Sequence, residues 1–238
     1  MKKINVLCVF GTRPEAIKMA PVIKALGNNN QICTKVCVTG QHREMLDQVL
    51  DCFNIVPDFD LDIMHKQQNL TDITIKVLEG LKSILEQYKP DYVLVHGDTT
   101  TAFAASLVSF YYKIKIAHVE AGLRTGNLES PWPEEANRKL ISCITSLHFA
   151  PTELSKQNLL NENLNIKNIF VTGNTVIDSL LYVRNRFELD ITFRNETSKK
   201  FSYLNFSKKI ILVTAHRREN LGLGFSNICD AIKIIANI

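Results

Sequence analysis

Residues 91–124 read DYVLVHGDTTTAFAASLVSFYYKIKIAHVEAGLR, and this stretch decides the fold. Tyr92 to Val95 is apolar at every position rather than at alternate ones, the pattern of a strand covered on both faces. A glycine and an acid follow, then a helical pattern from Thr100 to Tyr112, then a second apolar run from Lys115 to Val119. Parallel strands need a crossover of about a dozen residues or more, and this spacing supplies one, so the stretch is a β-α-β unit.

The same alternation extends in both directions. Candidate strands are Ile4 to Phe10, Cys33 to Thr39, Phe59 to Ile63, Asp91 to His96, Leu147 to Ala150 and Asn168 to Thr172. Helical patterns run from Glu15 to Leu26, Arg43 to Phe53, Leu70 to Tyr88, Glu134 to Ser146, Thr152 to Asn161 and Thr175 to Arg186. Such a chain is expected to fold as an α/β, doubly wound parallel sheet of Rossmann-like type, because right-handed crossovers put helices on both faces. The first domain is expected over residues 1–173. Residues 174–238 read as a linker and the start of a second Rossmann-like domain. They hold a polar stretch from Arg194 to Lys200, a fresh strand over Ile210 to Ala215 and a helical segment from Phe225 to Ile238. One strand and one helix cannot bury their own faces, so this second domain reads as incomplete.

Composition agrees with a folded globular chain: 238 residues, 45% apolar and 22% charged. The net charge of +4 suits a small anionic ligand, but it is too slight and scattered for a nucleic-acid surface. Six cysteines with no Cys-x-x-Cys pair read as reduced core residues. The seven largely apolar residues before Gly11 are too few for a secretory leader, and no stretch approaches the ~20 apolar residues of a membrane helix. A cytoplasmic protein without a membrane partner is expected.

Ligands of open parallel sheets bind beyond the carboxyl ends of the strands. Here those loops carry Arg13 and Glu15, Gln41 and His42, Asp98, Glu120 and Arg124, and His216 to Glu219. Each has a plain structural explanation to set beside a functional one. Asp98 precedes a helix and can be its N-cap. Glu134 and Glu135 follow Pro133 at a helix start, where carboxylates favour the dipole, and they form i,i+4 pairs with Arg138 and Lys139. His148 reads as a satisfied core histidine. Glu120 ends an apolar strand with no cap to make, which favours function. A rival assignment groups His96, Asp98, His118 and Glu120 as ligands of a divalent ion, as in a metal-dependent hydrolase. The nearby arginines favour an anion instead, and no metal is assigned.

Seven motifs occur in order: Gly11-Thr12-Arg13-Pro14-Glu15-Ala16-Ile17-Lys18, Thr39-Gly40-Gln41-His42, His96-Gly97-Asp98-Thr99, His118-Val119-Glu120-Ala121-Gly122-Leu123-Arg124, Pro131-Trp132-Pro133-Glu134-Glu135-Ala136-Asn137-Arg138, Gly173-Asn174-Thr175 and Thr214-Ala215-His216-Arg217-Arg218-Glu219-Asn220. Together they resemble the bacterial non-hydrolysing UDP-N-acetylglucosamine 2-epimerases. The resemblance implies a two-domain fold of the GT-B type, a homodimer, and a chain that continues well beyond Ile238. It also implies conversion of UDP-N-acetylglucosamine to UDP-N-acetylmannosamine for polysaccharide biosynthesis, by elimination and re-addition of UDP through a 2-acetamidoglucal, with no redox cofactor. Under that resemblance Asp98, Glu120, Glu134 and His216 are catalytic, and Arg13 and Arg138 position the substrate. Gln41 and His42 match a region that contacts a regulatory nucleotide sugar. The alternatives are an inactive remnant or partial subunit of such an enzyme, and a related nucleotide-sugar glycosyltransferase.

Overall fold

The structure is a computed structural model that describes residues 3–40, 43–65, 68–213 and 222–236. It divides into two compact units, Met1–Leu189 and Asp190–Ile238. In the first, seven strands, β1 (Ile4–Phe10), β2 (Ile32–Val38), β3 (Phe59–Asp60), β4 (Tyr92–His96), β5 (Lys115–Val119), β6 (Leu147–Ala150) and β7 (Ile169–Val171), form one parallel sheet in the order β3-β2-β1-β4-β5-β6-β7. The expected doubly wound α/β fold is therefore present. Helices α1 (Arg13–Gly27), α2 (Arg43–Phe53), α3 (Leu70–Tyr88), α4 (Thr100–Tyr111), α5 (Glu134–Ile144) and α6 (Glu153–Asn161) connect successive strands, and α7 (Val176–Leu189) follows the last.

Alternate residues of the strands feed two cores. Leu7, Val9, Val93, Val95 and Ile116 pack with Val77 and Leu81 of α3 and Ala105 of α4. Val6, Cys8, Phe10 and Leu94 pack on the opposite side with Met19 of α1 and Leu50 and Phe53 of α2. The division follows from topology: the chain moves one way from β1 to β3 and the other way from β3 onward, and right-handed crossovers then place α1 and α2 on one face and α3 to α5 on the other. The side carrying α1 and α2 thus receives no crossover helix over β4 to β6. There an apolar groove of about 440 Å³ is lined by Leu94, Ala117, Val119, Leu147 and Phe149, with Val22 and Leu26 of α1 at its border. Helix α7 docks beside α1 and α2: the Ser179 hydroxyl donates to Ile17 O, Tyr182 stacks on Phe53 with centroids 5.1 Å apart, and Arg186 donates to Cys52 O.

The second unit contains α8 (Ile191–Lys200) and α9 (Leu223–Ala236). The polar stretch from Arg194 to Lys200 is helical, because Asp190 caps α8 at Phe193 N and Lys199 and Lys200 suit its carboxyl end. Of the strand expected over Ile210 to Ala215, the described part, Ile210–Val213, is not a strand and has no paired neighbour among the described residues; the rest lies outside them. The cysteines are free, but only Cys8 and Cys37 are buried, which pushes both thiols up to about 12, and Cys143 is exposed. No helix of the described residues is long and apolar enough to cross a membrane.

Gly122, just past β5, has φ +87°, and a Cβ there would lie 2.2 Å from the Ser155 carbonyl oxygen of α6. Replacing Gly122 with Ala is expected to lower stability by more than about 2 kcal/mol through strain and clash. Gly27, with nothing within 4 Å of a built Cβ, should accept Ala with a gain of about 0.5 kcal/mol. Urea midpoints of the two variants test both signs.

Candidate active site

The reversal of crossover direction separates the loops after β1 and β4, the place where an open α/β sheet forms a crevice. A cleft of about 380 Å³ lies there, lined by Thr12, Arg13 and Pro14 of the first loop, Asp98, Thr99 and Thr100 of the second, and Pro133, Glu134 and Asn137 at the start of α5. The amino ends of α1, α4 and α5 thus share one cavity, and their unpaired N–H groups bias it toward negative ligands. Arg13 is exposed at the cleft, and neither it nor Glu134 makes an ion pair or hydrogen bond among the described residues. Both are available to a ligand.

Asp98 is held differently. Arg138 of α5 grips its Oδ2 with Nε at 2.8 Å and Nη2 at 2.6 Å, while Asn137 donates to the Asp98 carbonyl at 2.8 Å. The remaining arm of Arg138, Nη1, reaches Glu135 at 2.9 Å. Glu135 is fully buried and also accepts from the Thr125 and Gly126 amides. Burial tends to raise its carboxyl, but these donors outweigh burial and lower it. The i,i+4 pairs expected from the sequence are thus replaced by an i,i+3 pair and a long-range one, because Arg138 reaches the turn after β4 rather than lying along the helix surface. The cap of α4 is likewise Thr99, whose hydroxyl accepts from Ala102 N, and not Asp98.

Glu120 follows β5 with φ 63°, a left-handed conformation that costs a non-glycine residue energy and is typical of functional turns. Lys18 of α1 donates to both its oxygens, at 2.8 and 2.5 Å. Buried His96 stands with Nε2 3.7 Å away, beyond a hydrogen bond, and this nitrogen has no hydrogen-bond partner among the described residues. Burial raises the Glu120 carboxyl, yet His96 and Lys18 prevail and hold it at about 2.

The four-ligand metal arrangement does not form. Asp98 is committed to Arg138, the buried His118 Nε2 lies 2.7 Å from the Gly97 carbonyl, and no group of three or more candidate ligands is arranged to hold an ion among the described residues. Burial pushes His118 down to about 3; burial and then the charge of Arg124 push His148 to about 4. His148 is in the core as expected, but its Nδ1 lacks a partner among the described residues. Arg124 is bound to Glu162 and Ser142.

Residues 24–238 match the family model described as UDP-N-acetylglucosamine 2-epimerase. The chain belongs to the UDP-N-acetylglucosamine 2-epimerase family. A family member from Salmonella typhimurium, named UDP-N-acetylglucosamine 2-epimerase, is 60% identical over 233 residues, covering 98% of this chain and 62% of the relative. A crystal structure of the Neisseria meningitidis epimerase bound to UDP-GlcNAc superimposes with a TM-score of 0.90 at 55% identity, covering 98% of this chain and 63% of that one. The Methanocaldococcus jannaschii epimerase in complex with UDP-GlcNAc and UDP gives 0.83 at 36% identity, covering 98% of this chain and 63% of that one. The chain spans about three-fifths of the length of the epimerases it matches.

Of the site residues expected in this epimerase-family chain, Arg13, Asp98 and Glu134 line one cleft, Arg138 clamps Asp98, and Glu120 sits in a separate ion pair with Lys18. Gln41, His42 and His216 lie outside the described residues. Lys18 was given no role from the sequence, Glu15 was named only as one of the rim residues, and Glu135 only as a helix-start carboxylate. The Thr-x-x-Glu spacing of Thr12 and Glu15 is a capping-box signal that marks Glu15, whereas nothing in the spacing of Glu135 separates it from a solvated helical acid.

These shifts set two windows of acid loss. His118 and His148, lowered from an ordinary 6.5, contribute stability that is complete above 6.5 and declines as pH falls toward 4 and 3. Glu120, lowered from 4.5, contributes stability complete above 4.5 and lost as pH falls toward about 2. Urea midpoints measured across this range should fall as pH is lowered for the native chain, and Glu120→Gln should lessen the fall below 4.5 without changing the fall above it, the remainder belonging to the two histidines and to Glu135 and Glu162, whose carboxyls are also lowered.

Proposed function

We propose that this chain carries the proton-handling half of an epimerase that inverts carbon 2 of UDP-N-acetylglucosamine. The observation that carries the proposal is the cleft in which an unpaired carboxyl, Glu134, and an unpaired guanidinium, Arg13, face a second carboxylate, Asp98, held rigidly by Arg138. Inversion next to the anomeric carbon proceeds by elimination. A carboxylate removes the C2 proton, the C2–H electrons form the C1–C2 double bond, and the C1–O bond breaks with its electron pair leaving on UDP. In the return step the diphosphate oxygen attacks C1 while a second acid delivers a proton to the opposite face of C2. The balance needs no redox cofactor, since hydrogen departs and returns as a proton.

The roles follow from the pairing of each group. Arg13, free at the amino end of α1, meets the negative charge that collects on the departing diphosphate. Arg138 fixes Asp98 toward the cleft, so Asp98 and Glu134 are the pair best placed to exchange protons with a bound sugar. Glu120, anionic and neutralised by Lys18, completes the rim; release from Lys18 on substrate binding would restore its basicity. His216 is assigned to the leaving nucleotide, and Gln41 and His42 to a regulatory nucleotide sugar, on the family resemblance alone. The same resemblance makes the enzyme a cytoplasmic homodimer that supplies UDP-N-acetylmannosamine for polysaccharide biosynthesis.

Incubation with UDP-N-acetylglucosamine in deuterated water should place deuterium at C2, read by NMR, in both epimers. Glu134→Gln and Asp98→Asn should each slow labelling by roughly 10²–10⁴, the scale of a lost acid or base. Absence of label from the native chain, alone and with the carboxy-terminal third of a full-length relative added in trans, would refute the proposal.

A further inference from the structure

Glu15 stands apart from every group used above. Its side chain is only 2% exposed, yet no cation pairs with it among the described residues. Four donors converge on it instead. Oε2 accepts from the Gly11 amide at 3.0 Å, the Thr12 amide at 2.8 Å and the Thr12 hydroxyl at 2.8 Å, and Oε1 accepts from the Thr99 hydroxyl at 2.6 Å. The first three lie within its own turn and end-cap α1. The fourth crosses 84 positions of sequence to the turn after β4, and capping does not require it. Those two turns carry Arg13 and Asp98 and form facing walls of the cleft.

We propose that Glu15 is a positioning residue, whose carboxylate ties the turn bearing Arg13 to the turn bearing Asp98 and so sets the separation of the two groups across the cleft. A carboxylate suits the task because it accepts several hydrogen bonds on two oxygens while donating none, and all four neighbours are donors. The charge it brings is offset by the amino end of α1, where it sits in the first turn. Thr99 is bound from two sides: its hydroxyl donates to Glu15 while accepting from Ala102 N, so the tie also orients the first turn of α4. The tie is geometric in itself; its consequence for catalysis rests on the epimerase reading.

Two substitutions separate the tie from the cap. Glu15→Asp leaves a carboxylate beside Gly11 and Thr12 but is one methylene too short to serve them and Thr99 together. Thr99→Val removes the hydroxyl, and Thr99→Ser restores it. Hydrogen–deuterium exchange of peptides spanning residues 10–16 and 97–103 is followed in each variant of the whole chain. Both peptides are expected to lose protection in Glu15→Asp and in Thr99→Val, the second losing more over residues 97–103 because the Ala102 cap goes with the hydroxyl; the double variant is expected to lose no more than Thr99→Val alone, with Thr99→Ser matching the native chain. In parallel, the saturated rate of deuterium uptake at C2 should fall about tenfold or more while KM changes less than about twofold, because the groups are misplaced rather than removed. Loosening confined to residues 10–16 in Glu15→Asp, or additive losses in the double variant, overturns the tie. Unchanged uptake despite loosening of both peptides overturns its positioning role. A native chain that takes up no label refutes the epimerase reading instead, and peptide protection alone then decides whether the tie exists.

Discussion

The reversal of winding direction between β1 and β4 is the constraint on which the rest depends. Neighbouring strands there send their crossovers to opposite sides, so the loops that leave them diverge and open a crevice that no helix of the sheet can fill. Arg13 and Asp98 stand on its two walls because each follows one of those strands. The same reversal distributes the helices unevenly, which is why one face of β4 to β6 carries an apolar groove while the other is packed by α3, α4 and α5. Cleft and groove have one topological origin.

A second constraint is charge in a partly dry place. An uncompensated buried carboxylate is costly, so each acid near the cleft needs partners, and the kind of partner determines what the acid can do. Glu135 is satisfied by two amides and one arm of Arg138, which leaves the other two nitrogens of that guanidinium to grip Asp98. Glu120 draws on an ammonium, and Glu134 on nothing among the described residues. Three carboxyl groups thus stand in three electrostatic settings, one met by amides and a guanidinium, one by an ammonium and one by no partner among the described residues.

Much of this was legible in the chain. The uninterrupted apolar runs announced parallel strands, and the polar residues at their ends marked the rim. Glu120 stood out there because it ends an apolar strand with no cap to make, whereas Asp98, which a helix start also explains, was assigned through the family resemblance. What periodicity could not convey is the direction in which a long side chain turns. Arg138 and Glu135 occupy helical positions that suit solvated pairs equally well, and only the approach of α5 to the β4 loop makes them partners across 40 positions and within one turn. Lys18 escaped notice for the same reason, its partner lying 102 positions away. The stretch around Arg194 was given no secondary structure from its polarity; Asp190 and the terminal lysines satisfy a helix there from both ends.

The left-handed backbone at Glu120 carries a consequence for how this position tolerates change. Asparagine, aspartate and glycine adopt that conformation at little cost, whereas valine, isoleucine and threonine do not. Relief of conformational strain and retention of glutamate, with its carboxylate at the end of two methylenes, therefore pull in opposite directions at a single codon: the residues that would make the chain most comfortable there are not the one it uses. A lineage selected only for robustness would drift away from glutamate at this site, and its persistence in a stable descendant would mark continued demand for its chemistry.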